Sequence, residues 1–342
     1  MLWSEPAELS SLSYTGRDIT TNDPQQPVRP SSSQQNKSKW TNTQTLYFSL
    51  AMASLCLIAL MAALDATSIS IAIPTITKEL DGTAVEGFWS GTGFLLPCTV
   101  FQPVFGSMSD IFGRKPALCV SLGLFAVGAV LAAVAHDMTL LLAGRAVQGV
   151  GGGGIVVLAE IIITDVVELR RRGNYFAALA AMWALGSVAG PVIGGAFAEL
   201  DWTWIFWINL PLIAVSTPSM LYFLRLKKKE SHWAQKLRKV DWVGGFLFIS
   251  STTGFLIPVT WGGINYAWDR WETLVPLSAS TVGIAAFVLW EAFLAQDPLI
   301  RLRVLKSRTA GVTYLGDFIH GLVMWCRWVS CHVPTICVDI AC

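Results

Sequence analysis

Apolar residues in this chain do not alternate with polar ones; they fill long continuous runs. A helix needs about 20 apolar residues to cross a bilayer. Nine stretches approach that length, at roughly 46–76, 87–107, 117–135, 139–163, 175–198, 203–224, 242–262, 273–295 and 309–326. Strands are excluded by the lack of alternation, and only helices or closed barrels satisfy their backbone in lipid. The pattern therefore predicts an all-α polytopic membrane protein. Residues 1–45 differ in character. They are rich in Ser, Thr, Gln, Asn and Pro, as in Ser31-Ser32-Ser33-Gln34-Gln35, and read as a disordered tail. The tail holds no apolar run of leader type, so the first span is expected to serve as the targeting signal.

Composition agrees. Hydrophobic residues make up 53% of the 342 positions and charged residues 14%, against about 25% in ordinary soluble domains. Mean hydropathy is +0.54. A soluble enzyme, a disulfide-rich secreted domain and a nucleic-acid binder are excluded. A net charge of +1 offers no field for a polyanionic partner. The distribution of charge says more than its total. With the N-terminus in the cytosol, all of the 24 Lys and Arg residues lie on the inner side except Lys78 and Arg270 outside and Arg145 and Arg327 in or beside spans. The positive-inside rule sets that orientation. The outer loops are acidic, with Glu79, Asp81, Glu86, Glu199 and Asp201 among them.

Five motifs carry the candidate chemistry. Gly106-Ser107-Met108-Ser109-Asp110-Ile111-Phe112-Gly113-Arg114-Lys115 lies between spans two and three. Arg145-Ala146-Val147-Gln148-Gly149-Val150-Gly151 lies in span four. Gly186, Gly190, Pro191, Gly194 and Gly195 form a small-residue stripe in span five. Leu64-Asp65-Ala66-Thr67, ending at Pro74, lies in span one, and Trp204-Ile205-Phe206-Trp207-Ile208-Asn209-Leu210-Pro211 opens span six. A charge such as Asp65 or Arg145 inside a span costs about 2.5–3.5 kcal/mol on insertion scales and is a functional candidate by default. The run Gly149 to Gly154 is superficially like a phosphate loop, but no strand precedes it, and close helix packing explains it.

In this order and on these spans, the five motifs resemble those of the major facilitator superfamily, and in particular its 14-helix drug:proton antiporters. The resemblance covers about residues 46–326 and implies proton-driven export of drugs or secondary metabolites by alternating access, with a substrate that is a small amphiphilic molecule. It implies no catalytic residue, metal or organic cofactor; protons and the lipid bilayer are the partners, and nucleic acid is not. The division expected is a six-helix bundle over 46–224, a basic cytosolic loop over 225–241, two linker helices over 242–295 and the opening of a second half over 296–342.

Within that frame, Asp65 is expected to take and release a proton while Arg145 biases its ionisation, a static ion pair being the alternative. Gln148 and Thr67 belong to the substrate or coupling region. Gly106, Asp110, Gly113, Arg114 and Lys115 form the conformational motif. The stripe from Gly186 to Gly195 is expected to pack against the second half and to set which side leaks, plain helix packing being the alternative. Trp89, Phe94, Gln102 and Trp183 are cavity candidates, with packing the commoner explanation, and Trp202, Trp204 and Trp207 are read as interfacial anchors.

The end of the chain departs from the family pattern. Four of its seven cysteines (Cys326, Cys331, Cys337 and Cys342) fall in the last 17 positions. They lack the paired spacing of a zinc site; disulfides are a second reading, and a prematurely ended gene model or a retained intron is the preferred expectation. A chain of this extent is expected not to transport alone. The rival readings are a solute importer or symporter of the same superfamily and a non-transporting membrane fragment with a binding role.

Overall fold

The computed structural model describes residues 42–224, 240–263, 266–295, 298–299 and 307–323. The tail, most of the basic loop over 225–241 and the terminal cysteines lie outside the described residues. Ten helices follow one another in the described part: α1 (Asn42–Glu79), α2 (Ala84–Phe112), α3 (Arg114–Ala133), α4 (Met138–Val166), α5 (Leu169–Leu200), the short α6 (Trp204–Trp207), α7 (Asn209–Phe223), α8 (Trp242–Trp261), α9 (Trp271–Phe293) and α10 (308–323). Seven segments are long and apolar enough to cross a membrane, α6 and α7 counting as one. That is fewer than the nine expected. The shortfall is α2 and α10. Ser90, Thr92, Thr99, Gln102, Ser107 and Ser109 dilute the apolar character of α2, although it runs for 29 residues and packs along α4. The described part of α10 is short of a full span.

The bundle has two packed sets. α4 lies between α2 and α3, while α1 lies between α5 and α7; α3 also meets α6 and α7. α8 and α9 pair with each other, and α8 touches α2. The core follows from this layout. One cluster centres on Leu55, Ile58, Met61, Phe94, Phe125 and Leu158, and a second on Ile69, Ile76, Leu141, Trp202 and Phe206.

Local signals set the helix ends. Thr83 and Glu86 form a capping box: the Glu86 amide donates to Thr83 Oγ1 at 3.3 Å and the Thr83 amide donates to Glu86 Oε2 at 2.8 Å. The backbone and side chain of Thr83 hold the Glu86 carboxyl below the usual carboxylate range. Asp137 caps α4 through the Leu140 amide at 2.6 Å. Gly113 closes α2 and opens α3 at φ +102°, a conformation that a residue with a Cβ rarely adopts. α1, α2 and α5 run on through internal prolines, which membrane helices tolerate more readily than soluble ones.

Trp202 corrects the anchor reading. It is 4% exposed, its Nε1 donates to Glu79 Oε2 at 2.6 Å and its ring meets Phe206 edge-on. The indole therefore ties the α5–α6 corner to the end of α1. Trp204 and Trp207 are exposed.

Candidate functional site

Deep in the bundle, three helices contribute to one carboxylate. Asp65 on α1 is 1% exposed, while Arg145 and Gln148 on α4 and Asn209 at the start of α7 are fully buried. Arg145 Nη1 donates to Asp65 Oδ2 at 2.7 Å and to Gln148 Oε1 at 2.7 Å. Gln148 Nε2 and Asn209 Nδ2 both donate to Asp65 Oδ1, at 2.7 and 2.8 Å. Arg145 Nε is held by the Ser90 carbonyl of α2 at 3.1 Å. Its guanidinium carbon lies 4.5 Å from the centre of the Phe94 ring and 5.7 Å from that of Phe206. The charges cancel, and aromatic faces replace water around the cation. Arg145 and Gln148 share a face of α4 because they are three residues apart. Two buried polar atoms here have no hydrogen-bond partner, Arg145 Nη2 and Asn209 Oδ1.

Glycine makes the close approach possible. A Cβ on Gly149 or Gly153 would fall on the Phe94 or Cys98 carbonyl of α2, and one on Gly151 would fall on α3 at Phe125 and Ser121. The glycine run thus brings α4 against two backbones at once. α5 approaches α1 by the same means. Gly186 meets Ala63, Gly190 meets Thr67 and Gly194 meets Ser68. Thr67 Oγ1 donates to the Gly186 carbonyl at 3.1 Å.

At one end of the bundle, the loop between α2 and α3 makes a second polar cluster. Arg114 pairs with Asp110 at 2.6 Å and with Asp165 of α4 at 2.8 Å, and it donates to Ser109 Oγ at 2.5 Å. Lys115 Nζ donates to the Leu221 carbonyl of α7 at 3.1 Å. Gly106 lies against Val157 and Ile161 of α4. Arg172 of α5 satisfies the last carbonyls of α4, with Nη2 on Thr164 at 2.7 Å and Nε on Val167 at 3.0 Å.

Comparison with known proteins decides the family. The model of the Major Facilitator Superfamily matches residues 55–321. The chain belongs to this superfamily. It is 52% identical over 279 residues to a protein named MFS transporter L2 from Phoma sp., which covers 81% of this chain and 47% of that protein. It is 38% identical over 330 residues to one named MFS-type efflux pump MMF1 from Mycosarcoma maydis, covering 94% and 53%. The chain spans about half the length of the curated relatives it matches. Among solved structures, the human organic anion transporter MFSD10 is similar at 19% identity, with a TM-score of 0.47, covering 71% of this chain and 62% of that one. The chain is a multi-pass integral membrane protein of the major facilitator superfamily.

The superfamily motifs sort unevenly in space. Asp65, Arg145 and Gln148 converge on one network. Gln148 is turned to the ion pair and is not open to a ligand. Thr67, assigned to the substrate or coupling region, is spent instead on the α1–α5 contact, with hydrogen bonds to the Ala63 and Gly186 carbonyls. In the glycine stripe, Gly186, Gly190 and Gly194 lie against Ala63, Thr67 and Ser68 of α1, which offers small partners there. Leu185, Val188 and Val192 occupy the exposed side of α5, with Pro191 and Gly195 partly buried. Phe94 lies beneath Arg145, and Trp89 lines a small crevice with Ile257 of α8. Sequence reasoning missed Asn209, Asp165 and Arg172 as site residues. An asparagine in an apolar run was the available signal for the first; nothing local marked the other two.

Proposed function

We propose that the chain forms the proton-coupling part of an exporter of small molecules, drugs or secondary metabolites, working by alternating access. The observation that carries this reading is the Asp65 network: a titratable carboxylate buried inside the bundle and held by donors from three helices. Protonating Asp65 removes its charge and weakens its bonds to Arg145, Gln148 and Asn209 together. α1, α4 and α7 then lose a common tie, which is how one proton could bias two arrangements of the bundle. An intramembrane ionisable group that faces the bundle interior suits proton relay better than structure alone, since a buried pair stabilises weakly. The names of relatives as efflux pumps support the direction of transport. The basic loops support an N-terminus in the cytosol, and a plasma-membrane location is part of the same proposal.

The test is gradient-driven accumulation of a fluorescent amphiphile by everted vesicles carrying this chain joined to the second half of a full-length relative. Asp65→Asn is expected to abolish the response to an imposed pH gradient while the protein remains in the membrane at its normal level. Undiminished gradient-driven uptake by Asp65→Asn would overturn the assignment. Uptake coupled in the opposite direction would favour a symporter.

A further inference from the structure

The side chains that hold Asp65 all face it with donors. Arg145 Nη1 meets its Oδ2, and Gln148 Nε2 and Asn209 Nδ2 meet its Oδ1. That set suits a carboxylate, which only accepts. A protonated Asp65 carries an O–H and needs an acceptor beside it, because a buried donor left unmatched is disfavoured. The three partners differ in what they can offer. Arg145 has no acceptor. Gln148 Oε1 already accepts from Arg145 Nη1 at 2.7 Å. Asn209 is fully buried, and its Oδ1 accepts from no group among the described residues. The acceptor that a protonated Asp65 requires is therefore present on the residue that opens α7, but turned away.

An amide has nearly the same shape either way round. Half a turn about the Cβ–Cγ bond exchanges Oδ1 and Nδ2 without repacking, and that torsion is broad and roughly two-fold. The turn gives up only a long contact of Nδ2 with the Ile205 carbonyl, at 3.4 Å. We propose that Asn209 is a positioning residue that reads the protonation of Asp65: its amide donates to the carboxylate and, turned round, accepts from the acid. This deepens the proton-coupling reading and rests on it. It also sorts the helices. The tie between α1 and α7 is re-formed after protonation, whereas Arg145 and Gln148 of α4 can only donate to Asp65 and lose their hold. α4 is then the helix that protonation releases. Few other groups bear on the titration. Among the described residues, Arg145 is the charge that α4 presents to Asp65, and the Cys98 thiol of α2 feels both. α5 meets α1 here through Gly186, and α6 and α7 bring Phe206 and Asn209, none of which titrates.

The test is infrared difference spectroscopy of the full chain in nanodiscs, titrated with acid. Protonation of Asp65 should give a carboxylic-acid carbonyl band that is absent from Asp65→Asn. In Asn209→Leu and Asn209→Ala, which leave no acceptor, that band should move to higher wavenumber. The two differ in size, so a shift common to both is not a packing effect. Asn209→Ser, whose hydroxyl both donates and accepts, should return the band part of the way. The titration midpoint separates a reader from a plain donor. Gln148→Leu removes a bond made to the carboxylate only and should move the midpoint by about tenfold in proton concentration. Asn209→Leu removes one bond from each state and should move it by about threefold or less. Monodispersity of each variant checks folding. An Asp65 band at one wavenumber in the parent, Asn209→Leu and Asn209→Ala would overturn the inference, as would a midpoint shift in Asn209→Leu equal to that in Gln148→Leu. Either result leaves the proton-coupling reading standing, because Asp65 still titrates. No band dependent on Asp65 at any pH would overturn both.

Discussion

Asp65 is the residue on which the buried polar network of α1, α4 and α7 converges. Its two oxygens accept three hydrogen bonds from side chains, one of them from a full cation. Removing one partner of a buried ion pair leaves an uncompensated charge, at a cost of about 3–5 kcal/mol. Removing both avoids that cost. Arg145→Ala is therefore expected to destabilise the protein more than the Asp65→Ala/Arg145→Ala double variant does. Unfolding by dodecyl sulfate in mixed micelles measures the cycle, and strict additivity of the two single changes would show that the pair is uncoupled. Asn209→Ala deletes one donor of three and is expected to cost about 1–3 kcal/mol by the same measurement. If it proves silent, the α7 contact is incidental and the network belongs to α1 and α4 alone.

Helices approach one another here by omitting side chains. Hydrophobic burial supplies little drive between helices in lipid, so close packing and hydrogen bonds must hold them. Gly149 and Gly153 allow α4 to meet the backbone of α2, and Gly186, Gly190 and Gly194 do the same for α5 on α1. Gly123 on α3 has nothing within 4 Å of an added Cβ. The contrast gives a prediction. Gly149→Ala and Gly153→Ala should lower the melting temperature in detergent and disturb the Asp65 network, because Gln148 and Phe94 lie at the same contact. Gly123→Ala should be neutral or stabilising by about 0.5–1 kcal/mol, since alanine is the better helix former. Equal effects at all three positions would mean that close approach does not govern this bundle.

At the scale of the whole molecule, its two ends carry opposite chemistry. Arg114, Lys115 and Arg170 to Arg172 gather at one end; Glu79, Asp81, Glu86, Glu199 and Asp201 gather at the other. Arg114 and Arg172 cross-link the basic end through Asp165 and the last carbonyls of α4. If that end faces the cytosol, a cysteine replacing Glu168 should react with an impermeant maleimide only after cells are permeabilised. A cysteine replacing Asp81 should react in intact cells, with the parent chain as the background for its native cysteines. The reverse pattern would invert the topology and, with it, the direction in which a proton reaches Asp65.

Much of this molecule could be read along the chain. A helix in lipid satisfies its backbone within its own segment, so continuous apolar runs suffice to reveal where the helices lie and that the chain is built to span a membrane. Asp65 and Arg145 stood out for the same local reason, as charges where charges are expensive. Hydropathy was a poorer guide to α2, whose polar residues include the buried Ser90 and Ser109 and the exposed Thr99. Partnerships at long range were not legible. Asn209 reaches Asp65 across 144 positions, and Lys115 reaches the Leu221 carbonyl across 106. Those contacts depend on which helices neighbour one another and how each is rotated, and apolar runs carry no record of either. Trp202 is buried and not an anchor for that reason, and the stripe on α5 meets α1. Asn209 was visible as an amide in an apolar run, but its oxygen is left without a donor only because α1, α4 and α7 meet around Asp65 as they do.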